Sequence, residues 1–266
     1  MSSGKSEPVR KVAVVTGGAT GVGSATAAML ARRGLHVAIV YSRSEAEANA
    51  TAQQCRAAGV ETLCIRCDVA SDADCRRVAA TVEETWGRAD VLINSAGTTQ
   101  FAQMSDLDAQ MAEDFQRVYA VNAIGPYQMT RALVPMLRRA GAGAIVSVSS
   151  IAGLNGNGSS YAYVASKAAL NALTLAMARN LAPEIRVNAV LPGLIETRWL
   201  KLGLGDAAYA QVRASFADAA ALQKVCTAED VAHSVVWLAL DAPLMTGQLL
   251  TVDGGFLLGR PARVSK

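Results

Sequence analysis

Aromatic residues are scarce in this chain: phenylalanine, tyrosine and tryptophan make up 5% of its 266 residues. The hydrophobic content is therefore mostly alanine, valine, leucine and other aliphatic side chains, a balance suited to helices stacked on buried strands. Histidine is scarcer still. His36 and His233 are the only two and stand far apart, which leaves a histidine-rich metal site or a conventional histidine-based hydrolytic triad almost nothing to draw on. With a net charge of +3 and no basic run, nucleic-acid binding has little support. No segment approaches about 18 consecutive apolar residues, and the polar stretch from Met1 to Pro8 lacks the apolar core of a signal peptide. The expectation is a cytoplasmic protein without a membrane partner.

The five cysteines, Cys55, Cys64, Cys67, Cys75 and Cys226, include one close pair. Cys64 and Cys67 lie in an extended run, Thr62 to Cys67, where residues three apart point to opposite faces of a strand, and no second pair completes a four-ligand site. Buried free thiols are expected. No linker rich in proline, serine or charge divides the chain, and no internal repeat appears. One domain is read over residues 10–259, between tails at 1–9 and 260–266.

What is present is a regular alternation of apolar runs and helical patterns. Val12 to Val15 leads into Thr16-Gly-Gly-Ala-Thr-Gly-Val-Gly23 and an alanine-rich helix, a strand, a glycine turn and a helix N-terminus that together suit a pyrophosphate. The strand His36 to Val40 precedes a helix over 44–58; the strand from Thr62 precedes a helix over 71–86; Asp90 to Asn94 is the next apolar run. Leu107 to Ala120 is predicted helical, with helix resuming through Leu137 and Pro126 and Pro135 as points of bending. Ala144 to Ser149 reads as a strand and leads through a Gly/Asn/Ser loop into the helix of Tyr163 and Lys167. Further strands are read at 184–191 and 249–254, with a helix at 227–240 between them. Seven apolar runs imply a doubly wound parallel sheet with helices on both faces.

Tyr163 and Lys167 are four apart on one helix and so share a face. A neighbouring ammonium favours the ionised phenol, which is expected to bring a tyrosine that ordinarily titrates near ~10 toward working pH. Ser150, near a strand's carboxyl end, could hold the reacting oxygen. Tyr161 has no lysine four residues later and is read as a packing or pocket residue.

These motifs in this order resemble the short-chain dehydrogenase/reductase family in its classical branch, and the overall pattern is most similar to 3-oxoacyl-(acyl carrier protein) reductases. The resemblance implies a Rossmann-type α/β single domain and a catalytic set of Asn122, Ser150, Tyr163 and Lys167. It places Gly17, Gly21, Val22 and Gly23 around a nicotinamide dinucleotide, Asp68 and Val69 at its adenine, and Asn94, Ala96 and Gly97 near its ribose or bracing the sheet. Lys167 would bind the ribose as well. Pro192, Gly193, Ile195 and Thr197 would hold the carboxamide. The family sequence has Asn-Asn-Ala-Gly where Ser95 here replaces the second asparagine. Tyr41 stands where an NAD-binding acid would be, and Ser42 and Arg43 follow it, which favours NADP over NAD.

The activity implied is NADP(H)-dependent interconversion of a ketone and a secondary alcohol on a small-molecule substrate, with Tyr163 as general acid and base. Residues 198–226, with Trp199, Leu200, Tyr209 and Phe216, are expected to form a substrate lid, and Arg198 could meet an acidic substrate or solvent. Two alternatives stay open: a reductase of 3-oxoacyl thioesters on carrier protein or coenzyme A, for which Arg138 and Arg139 could face an acidic partner, and a non-catalytic NADP-binding regulator. A sugar-nucleotide epimerase or dehydratase is disfavoured by the glycine spacing. A homotetramer is expected from the resemblance.

Overall fold

Side chains pointing alternately to either side of each apolar run form two faces of one sheet in a computed structural model, which describes residues 10–196, 201, 203 and 205–260. Val12 and Val14 of β1 (Val12–Thr16) point into one core, Ala13 and Val15 into the other. The remaining strands are β2 (His36–Tyr41), β3 (Thr62–Arg66), β4 (Val91–Asn94), β5 (Gly143–Val148), β6 (Ile185–Pro192) and β7 (Leu249–Val252). All pair in parallel in the order β3-β2-β1-β4-β5-β6-β7. Strands buried on both faces need no polar side, which is why they read as continuous Val/Ile/Ala runs.

One face is covered by α1 (Gly21–Arg32), α2 (Glu45–Arg56) and α9 (Ala228–Leu240), the other by α3 (Asp72–Trp86), α5 (Gly125–Arg139) and α7 (Tyr161–Leu181). The chain winds outward from β1 to β3, then returns to the other side of β1 with β4. That reversal opens a crevice at the carboxyl ends of β1 and β4, where a doubly wound sheet binds its ligand. Cys64 and Cys67 do face opposite cores, and all five cysteines are free. Among the described residues no cluster could hold a metal ion, and no helix is long and apolar enough to cross a membrane.

The predicted helix from Leu107 to Ala120 is corrected by the structure. Leu107–Ala109 is a single 3-10 turn, the chain is extended at Gln110 and Met111, α4 runs only over Ala112–Tyr119, and Ala120–Ile124 is a π-helix that joins α5. Asp114 bonds the Met111 N–H at 3.1 Å and starts α4 late, and Pro126 lies in the first turn of α5. Because α5 runs antiparallel to the strands, Arg138 and Arg139 close it at their amino ends, and Arg139 pairs with Glu83 at 2.5 Å. Within one subunit both arginines are at the end of the sheet away from the crevice.

Candidate active site

Backbone atoms build the first wall of the crevice. Gly17 and Gly21 have positive φ values of 64° and 55°, and a Cβ on Gly17 would come within 2.8 Å of the Ala96 nitrogen, so only glycine lets the β1 and β4 loops approach this closely. A Cβ on Gly23 would collide with the Gly17 carbonyl oxygen. Gly23 thus shapes the turn from behind, while Gly17, Gly21 and Val22 line the cleft. Thr16 Oγ1 ties the loops by accepting from the Ser95 and Ala96 N–H groups at 3.1 and 3.2 Å. Thr20, which caps α1, makes no side-chain cap bond, and no acid occupies the first turn. The N–H groups there can donate to a phosphate, with the helix dipole adding to the attraction.

The cleft has a volume of about 2370 Å³ and continues past Tyr41, Ser42 and Arg43 at the end of β2 and Asp68 and Val69 after β3. Ala96 and Gly97 line it after β4, but Asn94 does not; both atoms of its amide are buried without a hydrogen-bond partner. Pro192, Gly193 and Ile195 line the far side, where Gly193 donates to Val252 O at 2.9 Å and Ile195 bridges to Cys226. Thr197 lies outside the described residues, as do Arg198, Trp199 and Leu200 of the expected lid. Of the stretch expected to form a lid, α8 (Asp206–Ala219) is described, and its Val212 and Phe216 line the cleft.

Ser150, Tyr163 and Lys167 come together on this cleft. Ser150 follows β5, and its Oγ accepts from the Ala152 N–H at 3.1 Å, which starts α6 (Ala152–Asn155) and orients the hydroxyl. Ser160 caps α7 by accepting from Tyr163 N at 3.2 Å, fixing the tyrosine in the first turn. The Tyr163 and Ser150 hydroxyls are hydrogen-bonded. Lys167 Nζ lies 5.6 Å from the Tyr163 ring centroid and donates to Val148 O at 2.9 Å.

Burial pushes the Tyr163 phenol up from 10.0 to about 12, against the opposing pull of the Ser150 hydroxyl, and pushes Lys167 down from 10.5 to about 8. This corrects the expectation that the lysine brings the phenol down toward neutrality. The ammonium is turned to a backbone carbonyl, and the loss of water around both groups outweighs their mutual influence.

Asn122 does not line the cleft. Its side chain, fully buried in the π-helix, accepts from Thr98 N–H at 2.8 Å and donates to Thr98 O at 2.8 Å and to Ser166 Oγ at 3.0 Å. The amide is therefore a strut between the β4 loop and α7. Tyr161 does not line the cleft; its hydroxyl donates at 2.8 Å to the carbonyl of Met104, which does, and its ring lines a smaller surface pocket with Leu107 and Phe115.

Residues 17–257 match the family described as enoyl-(acyl carrier protein) reductase. Ketoacyl reductase 2 named for the granaticin polyketide synthase of Streptomyces violaceoruber is 40% identical over 93% of this chain and 96% of its own. The chain belongs to the short-chain dehydrogenase/reductase family. A 3-oxoacyl-(acyl carrier protein) reductase of Staphylococcus epidermidis is 34% identical over 94% of this chain and all of its own length. The crystal structure of a short-chain dehydrogenase/reductase from Burkholderia xenovorans superposes with a TM-score of 0.88 at 42% identity, covering 95% of this chain and 100% of that one.

Two features of this short-chain dehydrogenase/reductase escape a reading of motifs. Arg66, at the end of β3, lines the cleft as the register partner of Tyr41; only the pairing of β2 with β3 brings it there. Phe256, in the 3-10 turn Phe256–Leu258 after β7, lines it as well, and nothing near it in the sequence marks a site.

Proposed function

We propose that this oxidoreductase is an NADPH-dependent carbonyl reductase in which Tyr163 donates the proton and Ser150 steadies the substrate oxygen. The observation that carries the reading is the hydrogen-bonded Ser150–Tyr163 pair with Lys167 beside it, on the same cleft as the glycine turn. A phenol held protonated to about 12 is a proton donor at neutral pH, which suits the reductive direction. When bound, the nicotinamide supplies the hydride. The uncapped start of α1 and the Gly17–Ala96 approach fit its pyrophosphate, and the turn from Pro192 to Ile195 fits its carboxamide. Ser42, Arg43 and Arg66 offer hydroxyl and guanidinium donors for a 2′-phosphate, an arrangement that favours NADP over NAD.

A ketone substrate accepts two short hydrogen bonds from Ser150 and Tyr163 while Asn122 keeps the β4 loop against α7. A 3-oxoacyl thioester is the second reading, favoured by the names of the relatives from Streptomyces and Staphylococcus. Against a carrier protein docking on one subunit, Arg138 and Arg139 are distant from the cleft. A homotetramer is part of the proposal, supported by Leu107, Met111 and Phe115 exposed around α4 and Leu244 and Leu258 near β7.

The test follows NADPH and NADH consumption against ketones, acetoacetyl thioesters and keto sugars. Wild type is expected to turn over one group with NADPH, and Tyr163→Phe to lose about 10²–10⁴-fold of the rate while still binding NADPH. Turnover unchanged in Tyr163→Phe refutes the tyrosine mechanism, cofactor binding without turnover of any substrate supports a regulator, and a monomeric mass by light scattering refutes the tetramer.

A further inference from the structure

The whole chain has four phenylalanines, and none belongs to its fully buried core. Three of them, Phe101, Phe216 and Phe256, line the cleft. Phe216 comes from α8 and Phe256 from the turn after β7, yet their rings stack with centroids 4.2 Å apart and planes within 2°. A Cβ on Gly193 would come within 2.5 Å of Phe216 Cζ, so the ring pair abuts the turn that the proposed function assigns to the nicotinamide. Phe101, from the loop after β4, bears on Gly203 of the lid segment.

Phe256 is held by a purpose-built backbone. The buried Asp253 carboxylate accepts from the N–H groups of Gly255 and Leu257, on either side of the ring, at 2.9 Å each. Leu222 N donates to Gly254 O at 2.9 Å, and Arg260 donates to the carbonyl and carboxylate oxygens of Asp218 at 2.8 and 2.6 Å, fastening this segment to the end of α8. A stacked pair so held offers apolar area with little rotamer freedom to lose on binding. Arg117, also on the cleft, is engaged by Asp114 at 2.6 Å and Gln100 at 2.9 Å, so its charge is already answered.

We propose that Phe216 and Phe256 form the specificity-determining wall of the substrate site, and that it selects ketones or secondary alcohols with a flat apolar body, aromatic or fused-ring, over flexible aliphatic chains. The proposal rests on the carbonyl reductase reading above. Recognition is by shape and apolar contact, and the C-terminal turn, not only the lid, carries it.

The experiment compares kcat/KM for α-tetralone and 2-decanone with NADPH in the full-length wild type, Phe256→Leu and Phe256→Ala. Wild type prefers the tetralone, and Phe256→Leu, which keeps an apolar side chain but loses the ring, lowers the tetralone-to-decanone ratio about tenfold, chiefly through KM for tetralone. Fluorescence titration with NADPH verifies that the variants are folded. In the wild type alone, 2-naphthol competes with the ketone about tenfold more tightly than 1-decanol. Equal use of both ketones, equal inhibition by both alcohols, or an unchanged ratio in a folded Phe256→Leu overturns the proposal while leaving the reductase reading intact. Failure of the wild type to reduce any ketone overturns that reading and this one with it.

Discussion

Lys167 should be a stability liability that depends on pH. It is 4% exposed, and burial lowers its pKa from 10.5 to about 8. Between those values the unfolded chain holds more protons than the folded one, so stability rises with pH across this window. At 1.36 kcal/mol per unit, keeping the ammonium charged in the folded state at pH 7 costs about 3 kcal/mol. Replacing it in Lys167→Met removes that cost but also loses the bond to Val148 O, worth about 1 kcal/mol. The variant should therefore be about 2 kcal/mol more stable than wild type at pH 7 and no more stable at pH 10.5, where the lysine is neutral in the folded state and half neutral in the unfolded one. Tyr163 acts in the opposite sense. Its pKa is raised from 10.0 to about 12, so the folded state holds the extra proton and this contribution to stability falls above pH 10. Urea denaturation followed by circular dichroism at pH 7, 9 and 10.5 measures both effects, and a difference between variant and wild type that does not change with pH would show that the buried charge is not the cause.

Gly23→Ala should weaken dinucleotide binding about tenfold to a hundredfold, because the new methyl displaces the Gly17 carbonyl; NADPH fluorescence titration at wild-type affinity would contradict this. Arg43→Ala combined with Arg66→Ala should raise the Kd for NADPH about tenfold to a hundredfold and leave that for NADH within about twofold; equal losses for the two cofactors would remove the 2′-phosphate assignment. Asn122→Ala should cost about 3 kcal/mol by leaving the Thr98 N–H and carbonyl without their partner and taking from the Ser166 hydroxyl the bond it accepts, its bond to Tyr163 O remaining, and a loss below about 1 kcal/mol in chemical denaturation would show that the strut is dispensable.

The sheet, the glycine turn and the Ser150–Tyr163–Lys167 grouping are legible in the sequence because each is a local pattern: an apolar run, a turn that needs glycine, two residues a helical turn apart. What the sequence hides depends on distant segments meeting. Arg66 reaches the cleft through strand register, and Phe256 through the stacking of a C-terminal turn on α8. The direction of the Tyr163 shift is hidden for a related reason: the spacing shows a cation nearby, but not that both groups lose water and that the ammonium turns to Val148 O. At α4 the helical periodicity is real, yet the Asp114 bond to the Met111 N–H begins the helix later than the pattern alone indicates.

The π-helix at Ala120–Ile124 also sets the rotational phase of α5. An α-helix turns about 100° per residue, and a π turn takes in one more residue than an α turn. Wound as a regular α-helix, the same number of residues would rotate α5 by about a quarter of a revolution relative to α4. Met129, Leu133, Met136 and Leu137, now buried against the sheet, would swing toward solvent while α4 kept its orientation. The wide turn thus absorbs one residue without disturbing the face that α5 presents to the sheet.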